Sequence, residues 1–104
     1  MANTFNGTEG GLITLAAGAA LTERFRTNFP TQVKGRFFGK NVLGTILAQS
    51  GCMGIRMYFG QDSDGKLNLV ICGADANTND MLANIADISL ACPQVCSTLN
   101  DLNS

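Results

Sequence analysis

The chain has no histidine and no tryptophan, and only one tyrosine, two prolines and two glutamates. Without histidine, the Ser/His and Cys/His nucleophile pairings are excluded, together with the commonest metal ligand. The two glutamates are Glu9 and Glu23, and Glu23 stands beside Arg24, so no carboxylate pair for glycoside or proton-transfer chemistry emerges. Neither GxGxxG nor GxxxxGK[ST] occurs at a strand-to-helix junction, which removes the common phosphate-cradling loops. No run approaches the roughly 18–20 apolar residues that a membrane span needs. The most apolar early stretch, GLITLAAGAAL (11–21), follows Glu9 with no basic segment ahead of it, so no secretory leader is expected. The expected location is therefore cytoplasmic, where cysteines serve as reduced thiols or metal ligands.

What is present is a globular composition, 45% hydrophobic and 14% charged. A polar, glycine-rich stretch over 1–11 (MANTFNGTEGG) reads as a flexible tail, and 12–104 as a single domain large enough to bury a core. Net charge is −1 but unevenly distributed. Arg24, Arg26, Lys34, Arg36 and Lys40 follow one another with no acid between them, whereas six aspartates face Lys66 alone from Gln61 onward. Such asymmetry can make a local anion site or steer self-association.

Thr14 reads as the N-cap of a helix to about Asn28, with Gly18, Leu21, Phe25 and Phe29 on one stripe and Pro30 closing it. Residues 35–39 read as a short strand, and Asn41 as the cap of a second helix with Leu43, Ile46 and Leu47 inward and Gly51 as its stop. The clearest element is a β-hairpin, 52–60 and 66–74, around the turn QDSDG (61–65). Pairing Gly60 with Lys66 sets Phe59 opposite Leu67, Met57 opposite Leu69 and Ile55 opposite Ile71, an apolar face. Arg56, Tyr58 and Asn68 occupy the other face, with Cys52 and Cys72 as near-diagonal neighbours. Met81, Ile85, Ile88, Cys92, Val95, Leu99 and Leu102 follow a 4-3-4-3-4-3 spacing, which predicts helix broken at Pro93; a short strand over 87–91 is the rival.

Three constellations carry chemistry. Cys92 and Cys96, at i and i+4, are one residue too far apart for the CxxC redox motif, but on a helix they would share a face. With Cys52 and Cys72 they make the four thiolates of a zinc site, although the usual two close pairs are missing. Packed thiols are the simpler reading, with zinc or redox chemistry as alternatives. Asp75-Ala-Asn-Thr-Asn fits the start of an EF-hand loop, but Asp80 replaces the obligatory glycine and Ala86 the bidentate glutamate. Asp75, Asn77, Asn79 and Asp80 are then loop residues, Asn79 or Asp80 capping a following helix. KGRFFGK (34–40) meets the RNA-binding strand motif only at Lys34, Gly35 and Phe38, and a pI near 5.0 argues against nucleic acid.

The segments QVKGRFFGK (32–40), GCMGIRMYFG (51–60), GKLNLV (65–70), NDM (79–81) and CPQVC (92–96) resemble a family of small uncharacterised bacterial proteins. That resemblance implies one compact domain and says nothing about activity. The expected fold is α+β, an antiparallel hairpin or three-stranded sheet packed against three or four helices. Its expected function is that of a small non-catalytic binding domain, self-associating or holding a protein or small molecule. The binding residues would be Arg56, Tyr58, Asn68, Asp75, Asn77, Asn79 and Asp80, with no cofactor and no nucleic-acid or membrane partner. A zinc module held by Cys52, Cys72, Cys92 and Cys96, and a thiol redox protein, are the alternatives.

Overall fold

A computed structural model describes residues 4–104 and shows a mixed α+β chain. Its elements are α1 (Leu15–Asn28), β1 (Gly35–Phe37), α2 (Lys40–Leu47), β2 (Cys52–Gln61), β3 (Leu67–Asp75), β4 (Asp80–Ala86) and β5 (Leu90–Cys92). Two helices among the described residues replace the expected three or four. The chain divides into two compact units: residues up to Gly10 with Phe38–Ser89, and Gly11–Phe37 with Leu90–Ser104. Of the expected tail, residues 1–3 lie outside the described residues, and the remainder up to Gly10 belongs to the first unit.

In the second unit α1 starts as its sequence indicates, with the Thr14 hydroxyl accepting from the Ala17 amide at 3.1 Å. Its half-buried face is Gly18, Ala19, Thr22, Phe25 and Arg26, whereas Leu21 and Phe29 are exposed. The rotation has a cause at Gly18, where bare backbone receives Leu102 and a Cβ would lie 3.4 Å from that leucine's Cδ2. Arg26 Nη1 donates to the Leu102 carbonyl at 2.7 Å beside it. The strand expected over 35–39 does form, as β1, but it does not join the hairpin. It pairs antiparallel with β5, Gly35 opposite Cys92 and Phe37 opposite Leu90.

The first unit is a three-stranded antiparallel sheet in the order β2-β3-β4, with α2 against it. The hairpin is present, but its pairing lies two residues from the expected one: Gln61 meets Leu67, Phe59 meets Leu69 and Met57 meets Ile71. Asp62 sets this register. Its carboxylate accepts from the amides of Asp64 and Lys66, both at 2.9 Å, while its own amide donates to the Lys66 carbonyl. The loop thus begins one residue late and ends one late. A shift of two preserves the faces, so Ile55, Met57, Phe59, Leu69 and Ile71 still share a side.

An irregularity at Met53, between the Cys52 and Gly54 rungs, changes the fate of Cys52. Its sulfur lies 2.9 Å from where a Cβ on Gly73 would be, on the side covered by Ile46 of α2. Cys72 faces the other way, opposite Arg56, so the two cysteines are not the same-face neighbours expected. The helix α2 is capped by the Gly39 backbone rather than by Asn41; Ile46 is buried and Leu47 exposed.

The largest departure is in the C-terminal third. Residues 80–86 form strand, 90–92 form strand, and no helix follows Pro93. Gly73 pairs with Met81, yet its neighbour Cys72 pairs with Ile85, leaving Leu82, Ala83 and Asn84 outside the ladder. The excursion is anchored by Asn84 Nδ2, which donates to Gln49 Oε1 at 3.0 Å.

Candidate functional site

The three-stranded sheet puts Arg56 on β2, Cys72 and Ala74 on β3, and Asp80 at the start of β4 in one row. The middle strand contributes only small side chains there. The Arg56 guanidinium therefore reaches across them to form an ion pair with Asp80 Oδ1, while Nη1 also donates to the Thr78 carbonyl at 3.1 Å. Tyr58, two residues along β2 on the same face, donates its hydroxyl to Asp80 Oδ2. Phe5 completes the cluster, its ring centre 5.3 Å from the Arg56 guanidinium carbon, and its amide donates to the Ala76 carbonyl at 2.9 Å.

The electrostatics follow from this geometry. The Tyr58 hydroxyl and then the Arg56 guanidinium hold the Asp80 carboxyl below its ordinary range. The same Asp80 carboxylate raises the Tyr58 phenol, and it raises Arg56 further above its usual value. Burial pushes the Cys72 thiol up, the Asp80 charge adds to that, and Arg56 offsets only part. Arg56 therefore does not make Cys72 a reactive thiolate.

Because its folded-state value is depressed, Asp80 contributes stability above its unfolded value near 3.8, and that contribution is lost as pH falls through the lower folded value. An acid titration of folded fraction by circular dichroism should show a limb below pH 4 that is shallower in Asp80→Asn. An unchanged limb would mean that Asp80 is not coupled to folding.

The residues expected to bind a partner do not form one site. Arg56, Tyr58 and Asp80 converge and satisfy one another. Asn68 is apart from them, donating to Asp87 Oδ2 at 3.2 Å. Asp75 is a turn former: its Oδ1 accepts from the amides of Asn77 at 2.9 Å and Asn79 at 3.0 Å. That arrangement accounts for the DxNxN spacing, and Thr78 occupies the left-handed region at φ 68°. The turn leads into strand, so neither Asn79 nor Asp80 caps a helix.

Phe5 joins this cluster unexpectedly, its one signal in the sequence being a lone aromatic in a polar stretch. Phe5, Gly7 and Glu9 border a cleft of about 340 Å³ lined also by Ile55, Arg56 and Ala74. Glu9 shapes its rim by accepting from the amides of Asn6 and Gly7, both at 2.9 Å; those bonds, Asn6 first, keep its carboxyl below the ordinary range.

The cysteines are distributed differently from a zinc site. Cys92 and Cys96 are joined in a disulfide with Cα atoms 4.7 Å apart, and Cys52 and Cys72 are free thiols on opposite faces of the sheet. Among the described residues no three cysteines or carboxylates gather as metal ligands, so the set required for zinc is not brought together here. Among these residues no helix is long and apolar enough to cross a membrane. Comparison of the chain with protein-family models, curated proteins and solved structures returns no match.

Proposed function

We propose that this chain is a small non-catalytic binding domain that pairs with a second copy of itself through the uncovered end of the three-stranded sheet. One observation carries the reading. Met57 and Phe59 lie on the core side of the sheet, yet Phe59 is 81% and Met57 54% exposed, whereas Ile71 opposite Met57 is fully buried. The binding surface thus moves from the Arg56 face, which is internally satisfied, to the opposite face. The strand that bears it supports a second copy as the occupant. Among the described residues β2 pairs only with β3, and from Met57 to Gln61 it has no proline, lysine or acid to guard its edge. Antiparallel pairing of β2 with its own copy extends the sheet and brings the two Met57/Phe59 patches side by side, an isologous contact. The pI near 5.0 favours a protein partner over nucleic acid.

Light scattering coupled to size exclusion, over about 1–100 μM, tests this. The chain should pass from monomer to dimer across that range, and Phe59→Asp should remain monomeric. Its stability should stay within about 0.5 kcal/mol of the parent, because an exposed side chain has little folded-state packing to lose. A parent that is monomeric throughout, or a Phe59→Asp dimer, would overturn the reading.

A further inference from the structure

The second unit contains a feature that this reading does not use. The Cys92–Cys96 bridge borders a cleft of about 390 Å³ lined by Lys34, Phe37, Leu90 and Val95. We propose that this disulfide is an exchange-active site that accepts electrons from a small thiol of the glutathione class, independently of the self-association above. Three observations converge on it.

The first is how little the bridge does as a staple. It closes a loop of four-residue separation that already has its own hydrogen bond, from the Val95 amide to the Ala91 carbonyl at 2.9 Å. Closing so short a loop removes little entropy from the unfolded chain.

The second is asymmetric access. Cys96 is exposed, whereas Cys92 is half-buried in β5, where its carbonyl accepts from the Lys34 amide. An incoming thiolate meets the Cys96 sulfur first. The third is a cation among the residues that line the cleft: Lys34, whose ammonium donates to the carbonyl of Asn103, another lining residue, at 2.8 Å. A cation near a leaving thiolate lowers its pKa and speeds its departure.

The step balances as follows. A thiolate RS⁻ attacks Sγ of Cys96, the Cys92–Cys96 bond breaks, and its electron pair leaves on Cys92 as thiolate. The product is a mixed disulfide between R and Cys96. A second RS⁻ attacks the sulfur of R, releasing RSSR and the Cys96 thiolate. Two thiols are oxidised, the protein disulfide is reduced, and the two protons from the thiols end on Cys92 and Cys96.

The test uses the full chain purified without reductant and then treated with reduced glutathione at about 5 mM and neutral pH, with alkylation and intact-mass thiol counting over time. The bridge should open within minutes, adding two alkylatable thiols to Cys52 and Cys72. Early time points quenched by alkylation and resolved by peptide mass then report the direction of attack: the transient glutathione adduct should sit on Cys96, with Cys92 alkylated. A bridge that survives hours of this treatment, four free thiols in the purified chain, or an adduct carried on Cys92 with Cys96 alkylated would each overturn the proposal.

Discussion

Replacing Ile71 with alanine should lower the unfolding free energy by about 2–5 kcal/mol, a large share of the roughly 5–15 kcal/mol available to a domain of this size. Ile71 is fully buried on the central strand β3, and among the described residues Ile46 of α2, 1% exposed, is the other large side chain so enclosed. With few such residues, each deleted methyl group leaves a cavity that few neighbours can relax to fill. Urea unfolding should show a lower midpoint with an unchanged slope, as expected when the native state is weakened rather than expanded. Phe59→Ala, on the same face of the sheet but exposed, is the internal control and should change stability by no more than about 0.5 kcal/mol. Equal effects at the two positions would mean that the enclosed end of the sheet is not where the stability resides.

Gly73→Val should be similarly damaging through the opposite fault, overpacking. A Cβ at Gly73 would lie 2.9 Å from both the Cys52 sulfur and Gln49 Nε2, and 3.4 Å from Cγ2 of Ile46. The Gln49 amide sits at the end of a flexible side chain and can move, although doing so disturbs its bonds to the Ile46 carbonyl at 2.9 Å and to Asn84. Cys52 is short and fixed by the strand, so the backbone must separate. Alanine at 73 should cost about 1–3 kcal/mol and valine more. Adding Cys52→Ala to Gly73→Ala should recover part of the loss, since it removes one of the two nearest obstacles. No recovery would place the obstruction on Gln49 and Ile46 instead.

The sequence showed local features well and long-range pairing poorly. Thr14 as a cap and the DSDG turn rest on interactions within a few residues, and both are present. The hairpin faces were legible because alternation survives any even slip, while the register itself depended on which residue opened the loop. The strand β4 was hidden for a specific reason. With Leu82, Ala83 and Asn84 outside the ladder, Met81 and Ile85 fall on adjacent rungs while standing four apart in sequence, so an irregular strand imitated a helical stripe. Farther along the supposed seam, Ile88 is 97% exposed with a φ of 47°, and Leu99 is also exposed. The partner of β1 lies far away in sequence, and no local pattern could have named it.

Of the candidate site, Arg56 and Tyr58 were legible as polar residues on one sheet face, and Asp80 only as a loop or cap residue. Their mutual neutralisation was not, because it requires the small side chains of Cys72 and Ala74 to be aligned beneath them. The Asp75 turn was legible as a loop because Asp80 and Ala86 break the cation-loop pattern; the DxNxN likeness arises since both use the same carboxylate geometry, one toward backbone amides and the other toward an ion.

The pairing of Phe37 with Leu90 also sets an order of events for the folding chain. Everything between those two residues belongs to the other unit, so the rung closes around a long insert. Forming it while that insert is still a coil means bearing the closure entropy of the whole intervening loop. The hairpin closes over five residues, 62–66, and meets no such barrier. The segment between Phe38 and Ser89 should therefore assemble first and draw its own ends together, and the β1–β5 ladder should join only as a late latch.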